Sequence, residues 1–132
     1  IKKYNLEKKI IILGRQENVH KYLYNSSLFI QTSLWEDPGF VLIEAALNNV
    51  SIISSNCKSG PSEILQDEEG GYLFENNNLQ SLENKILLFL KEDANKILKK
   101  KIKVKKNIRK YHFFKHYILL EKYLNEKKNN IK

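Results

Sequence analysis

Glu36 and Glu44 flank the stretch Glu36-Asp37-Pro38-Gly39-Phe40-Val41-Leu42-Ile43-Glu44, and their type and placement suit ligand chemistry better than any other pair in the chain. An ionised carboxylate only accepts hydrogen bonds, so two of them can hold the hydroxyl groups of sugars. Spacing alone does not select this pair. Twelve glutamates in 132 residues give about one such pair by chance, and Glu75 and Glu83 repeat it. Context separates them. Glu36 falls in the polar loop Trp35-Glu36-Asp37-Pro38, between a strand-like run and a helix, and Glu44 falls inside that helix. Helical side chains lean toward the amino end, so Glu44 can look into the same cleft as Glu36, on the order of 10 Å away, the span of a diphosphate. Between them, the free N–H groups near Gly39, Phe40 and Val41 form a helix amino terminus suited to phosphate. Gly39, without a Cβ, lets a ligand approach the backbone. The acidic residues equally suit capping and the helix dipole, worth ~0.3 to 1 kcal/mol, and the residues alone leave both readings open.

The elements that must position this stretch can be read from hydrophobic pattern. Ile10-Ile11-Ile12-Leu13, closed by Gly14, predicts a buried strand and a turn. Asn18 can cap a short helix reaching Tyr24. Residues 28–33 predict a second strand, residues 39–47 a helix and residues 51–55 a third strand. Pro61, with Ser59 as cap, opens another helix, and Gly70-Gly71 turns into a strand at Tyr72-Leu73-Phe74. Leu79, Leu82, Ile86, Leu87 and Leu90 recur at helical spacing. Ile97, Leu98, Ile102 and Ile108 continue the pattern more loosely, and residues 111–124 give a last helix. Short, nearly all-apolar strands alternating with helices define the α/β class, a parallel sheet covered on both faces. Ligands of such sheets bind beyond the carboxyl ends of the strands, here after Leu13, Ser33 and Ser55.

Composition excludes several classes. The chain is 42% hydrophobic and 29% charged, with 5 Gly and 2 Pro, which is globular rather than fibrous or low-complexity. A single cysteine makes a reducing, cytoplasmic compartment the default expectation. Cys57 follows a strand and reads as a small loop residue rather than a reactive thiol. His20, His112 and His116 are scattered, so no metal is expected. The net charge of +8 is uneven: residues 1–84 carry 7 basic and 11 acidic side chains, and residues 85–132 carry 16 and 4. A solvated lysine face accounts for this, and so would an anionic membrane surface. Nucleic acid is not expected, because no aromatic platform is interleaved with the lysines.

The ordered series Ile11-Ile12-Leu13-Gly14, Val19 to Tyr24, residues 28–33, Trp35-Glu36, Glu44-Ala45-Ala46, Ile52-Ile53-Ser54-Ser55, Cys57 to Leu65 and Gly71-Tyr72-Leu73 resembles the second half of a GT-B glycosyltransferase. The group it resembles is the large retaining one, family-4-like, that serves bacterial polysaccharide and lipopolysaccharide synthesis. The resemblance implies a Rossmann-like donor-binding domain over residues 1–110 and a helix over 111–132 that packs on an acceptor domain. It implies a nucleoside-diphosphate sugar as donor, retention of configuration, and no metal or cofactor. It also implies a glycan or lipid-linked acceptor, and a cytoplasmic location that admits contact with the inner face of the membrane. Residue by residue, it implies that Glu36 is catalytic and contacts the sugar, that Asp37, Pro38, Gly39, Phe40 and Val41 meet sugar and diphosphate, and that Glu44 holds the ribose. Gly14 and Arg15 would lie near the base, and Pro61 and Glu63 either border the site or start a helix. The group usually has Gly-Phe-Gly where this chain has Asp37-Pro38-Gly39-Phe40. The donor domain's opening strands and its Arg/Lys grip on the diphosphate are expected upstream of Ile1, so this stretch is expected to be inactive alone.

Overall fold

The computed structural model describes residues 1–129. Three parallel strands, β1 (Leu28–Gln31), β2 (Ser51–Ser55) and β3 (Tyr72–Phe74), form one sheet in the order β1-β2-β3. The helices are α1 (His20–Tyr24), α2 (Phe40–Leu47), α3 (Pro61–Leu65), α4 (Leu79–Lys91), α5 (Ala94–Asn107) and α6 (Phe113–Asn129). This is the α/β class with a parallel sheet and a helical tail, as expected.

The central strand explains the lack of alternation in the sequence: all five residues of β2 are buried, because both faces of the sheet are covered. The period of two sorts the side chains between the faces. Ile52 and Leu73 pack with Leu42, Ala45, Ala46, Ile64 and Val104, from α2, α3 and α5. Ile53, Tyr72 and Phe74 face the other way, against Leu82, Ile86 and Phe89 of α4. Tyr72 and Phe89 meet edge to face at 6.0 Å. Asn78 and Asp93 cap α4 and α5, whereas the cap position of α1 falls on Val19 rather than the expected Asn18, which lies one residue earlier and accepts from the His20 N–H at 3.1 Å.

One turn fastens α4 and α5 to the sheet. Glu68 accepts from the Leu73 N–H at 2.8 Å and pairs with Lys85 of α4 at 2.5 Å. Lys100 of α5 donates to the Glu68 and Gly71 carbonyls and lies 4.7 Å over the Tyr72 ring. Burial opposes ionisation of Glu68, but the Lys85 and Leu73 donors outweigh it and hold the carboxyl below its ordinary range. A depressed folded value means that the stabilisation is complete above the unfolded carboxylate range and is lost as pH falls through the folded value. Thermal unfolding followed from about pH 6 down to about pH 3 should therefore show falling stability, and Glu68→Gln should show a smaller fall.

Several boundaries differ from the sequence reading. The stretch from Ile10 to Leu13 is not a strand; it runs without ladder partners, and Ile11 and Ile12 are 79% and 81% exposed. An apolar run signals a preference for burial but not which neighbour supplies it, and no strand lies beyond β1 among the described residues. β1 ends at Gln31 rather than Ser33. α3 is capped by Gly60, not Ser59, which itself takes a left-handed φ of 69°. The last helix starts at Phe113, after a 3₁₀ turn over Ile108–Tyr111, and residues 130–132 of the expected tail lie outside the described residues.

Candidate functional site

The loop between β1 and α2 leaves the carboxyl end of the sheet and returns as the first turn of α2. Gly39 caps that helix with a φ of 86°, and no side chain caps it. The first helical bond runs from the Leu42 N–H to the Gly39 carbonyl at 3.0 Å. Among the described residues, the N–H groups of Phe40 and Val41 donate to no protein acceptor, so they stand ready for an outside one. The peptide between Asp37 and Pro38 is cis. Asp37 and Phe40 are exposed, Pro38 and Val41 half-buried, and Gly39 is buried.

Glu36 folds back against this turn. The position that a Cβ on Gly39 would occupy lies 3.7 Å from the Cβ and Cγ of Glu36 and 3.6 Å from Leu42. Its Oε1 accepts a hydrogen bond from Gln31 Nε2, at the end of β1. Glu44 is half-buried on the side of α2 away from Leu42, Ala45 and Ala46, one turn beyond Phe40 and Val41. Asn48 locks this end of the helix: its amide donates to the Glu44 carbonyl at 2.8 Å and lies 2.9 Å from His20 Nδ1 of α1. Glu36 and the free helix amino terminus therefore meet at the carboxyl end of the sheet, and Glu44 follows one turn along the same helix. Such an arrangement can accept from hydroxyl groups and donate to an anion.

The turn after β2 packs directly on this loop. A Cβ on Gly60 would lie 1.9 Å from the Pro38 carbonyl oxygen, so the two backbones touch. Pro61 is buried at the start of α3. Glu63 points elsewhere. It accepts from Tyr111 Oη at 2.7 Å and pairs with Lys110 at 2.9 Å, clamping the turn after α5. The Lys110 and Tyr111 donors hold its carboxyl below the usual range, and burial, then Glu63, push the Tyr111 hydroxyl up. Helix initiation thus explains Pro61, and tail anchoring explains Glu63.

Gly14 and Arg15 are exposed in the segment before α1, and no hydrogen bond joins them to the loop at Glu36 among the described residues. Gln16 ties that segment to α1, donating to the Leu13 carbonyl at 2.6 Å and accepting from Tyr22 Oη at 2.8 Å. Cys57 is buried. His112 stacks on Phe114 at 5.5 Å, and no group of three metal-ligating side chains occurs among the described residues. Sequence reasoning missed Gln31 and Ser54. For Gln31 the available signal was a polar residue ending an otherwise apolar strand just before the carboxylate loop; Ser54, one of three serines in β2, carried none.

The family described as "Glycosyl transferases group 1" matches residues 1–111. Over 90 residues the chain is 32% identical to the poly(ribitol-phosphate) alpha-N-acetylglucosaminyltransferase of Staphylococcus aureus, covering 68% of this chain and 18% of that protein. Over 93 residues it is 33% identical to a Campylobacter jejuni N-acetylgalactosamine-N,N'-diacetylbacillosaminyl-diphospho-undecaprenol 4-alpha-N-acetylgalactosaminyltransferase, covering 70% of this chain and 26% of that protein. A crystal structure of an S. aureus TarM mutant in complex with fondaparinux, alpha-GlcNAc-glycerol and UDP superposes with a TM-score of 0.78 at 31% identity, covering 94% of this chain and 24% of that one. The chain thus spans about a quarter or less of the length of these relatives.

Proposed function

The chain belongs to the glycosyl transferases group 1 family, and from that premise we propose that it forms part of the donor site of a retaining glycosyltransferase. The observation that supports the reading is Glu36 beside the free N–H groups of Phe40 and Val41 at the carboxyl end of a parallel sheet, with Glu44 one turn further along α2. The donor is a nucleoside-diphosphate sugar; a relative of this fold was crystallised with UDP. Glu36 accepts from sugar hydroxyls, the N–H groups of Phe40 and Val41 face the diphosphate, and Glu44 holds the ribose hydroxyls. Gly14 and Arg15 lie toward the base. In the transfer, the bond from the anomeric carbon to the diphosphate oxygen breaks and its electron pair leaves with the phosphate. A bond forms from that carbon to an acceptor hydroxyl, whose proton goes to the departing diphosphate. The protein's part is to stabilise the developing negative charge, which fixed N–H dipoles do without reorganising. The acceptor is a glycan or a lipid-linked sugar, as the names of the relatives suggest.

The test is ligand-observed NMR of this chain with UDP, GDP and their sugar conjugates. Removing a charged acceptor costs roughly 1.5–3 kcal/mol, so Glu44→Ala should weaken the bound nucleotide on the order of 10- to 100-fold. Binding that is indifferent to Glu44→Ala, or absent throughout the panel, would count against the reading.

A second reading concerns the tail. α6 exposes Phe113, Tyr117, Leu120 and Leu124 at spacings of four, three and four along one side, and residues 85–132 carry 16 basic against 4 acidic side chains. We infer that this helix can rest on an anionic membrane surface. Co-sedimentation with vesicles containing phosphatidylglycerol should fall as salt rises; neutral vesicles binding equally well would remove the electrostatic part.

A further inference from the structure

The donor-site reading leaves open what holds Glu36 in place. We propose that Gln31, supported by Ser54, is a positioning residue that orients the Glu36 carboxylate toward the donor sugar; the proposal rests on that reading. Gln31 is 5% exposed and Ser54 is fully buried, and they are register partners on β1 and β2. Ser54 Oγ shares its proton between the Ser55 carbonyl at 3.1 Å and Gln31 Oε1 at 3.3 Å. Gln31 Nε2 donates onward to Glu36 Oε1 and lies 3.4 Å from Ser33 Oγ. Ser55 Oγ, one residue along β2, donates to the Ser33 carbonyl and fixes the start of the same loop.

Burying an amide between apolar strands is unfavourable unless both of its ends are satisfied. Here both are, and the satisfied amide has a direction: its acceptor end faces the core and its donor end faces Glu36. A leucine at this position would fill the strand without the polar cost, so packing alone does not explain glutamine. Glu36 itself is only partly buried and sits on a loop, where an unsupported side chain would sample several rotamers. With Oε1 held from the strand, Oε2 is left without a protein partner among the described residues. A carboxylate ordered in advance loses less entropy when a hydroxyl arrives, and orientation set by a rigid strand is more precise than orientation set by a loop.

The test compares a nucleotide with its sugar conjugate, because Glu36 is assigned the sugar and Glu44 the ribose. Titrations use UDP and UDP-N-acetylglucosamine, with GDP and GDP-mannose in parallel. Gln31→Leu should weaken the nucleotide sugar about 10-fold while leaving the bare nucleotide within about twofold. Ser54→Ala, which removes the support without touching the site, should act in the same direction and more weakly; it carries the test should Gln31→Leu not fold. A merely structural role predicts equal losses for both ligands, and that result, or no change for either, overturns the proposal. A chain that binds nucleotide but gains nothing from the sugar overturns it as well. If the unaltered chain binds none of the four ligands, the donor-site reading fails first, and the positioning role fails with it.

Discussion

Gly60→Ala should lower the folding free energy by at least about 3 kcal/mol and abolish nucleotide binding at ordinary concentrations. Gly60 has a φ of 102°, a region that residues with a Cβ rarely enter. The added methyl would also lie 1.9 Å from the Pro38 carbonyl oxygen and 2.7 Å from its carbon. Both are backbone atoms, so no side chain can swing away to make room. Relief requires the turn before α3 to separate from the loop before α2, and that loop carries Glu36 and the helix amino terminus. Gly14→Ala is the control. Its φ of 62° is also left-handed, but nothing lies within 4 Å of the added Cβ, so only the backbone term of ~1 kcal/mol remains. Urea unfolding should show a large fall in midpoint for Gly60→Ala and a small one for Gly14→Ala, both with an unchanged slope. Equal falls would mean that the two loops can part freely.

That contact was not legible in the sequence, and the reason is instructive. Pro61, with Ser59 as its expected cap, announced a helix start, which depends on local backbone geometry, but the approach of Pro38 to Gly60 depends on two loops 22 positions apart. The features that were legible are local or periodic. β2 declared itself by Ile52 and Ile53 between small serines, all five buried because helices cover both faces of the sheet, and α4 by leucines and isoleucines at helical spacing. Glu36 and Glu44 could be picked out because the strand, loop and helix around them were each readable. Ile10 to Leu13 shows the opposite case. A run more apolar than β2 there marks an exposed segment, since composition reports what a strand prefers and not what lies beside it. Gln31 and Ser54 were hidden for a related reason: a polar side chain in a strand has meaning only when its cross-strand partner is known, and register is set by the whole sheet.

α2 must serve the core and the site at once, and its two sides should respond differently to mutation. Leu42 is fully buried, packs in the same cluster as Ile52, Ile64 and Val104, and lies under Gly39. Leu42→Ala removes three buried carbons and leaves a cavity that the sheet and α5 cannot close without moving. The expected cost is about 3 kcal/mol, within the ~2–5 found for such truncations. Phe40, two residues earlier, is 63% exposed and points away from that cluster. Phe40→Ala should change stability by no more than about 0.5 kcal/mol, since surface truncations remove little buried area. Paired urea unfolding and nucleotide titration separate the two roles. Leu42→Ala should lose stability and, below its unfolding midpoint, still bind nucleotide within a few-fold, because the N–H groups of the first turn depend on the backbone of Gly39 to Val41. A Leu42→Ala chain that remains folded yet binds no nucleotide would show that core packing sets the position of that turn, and the amino terminus of α2 would then have to be treated as part of the core.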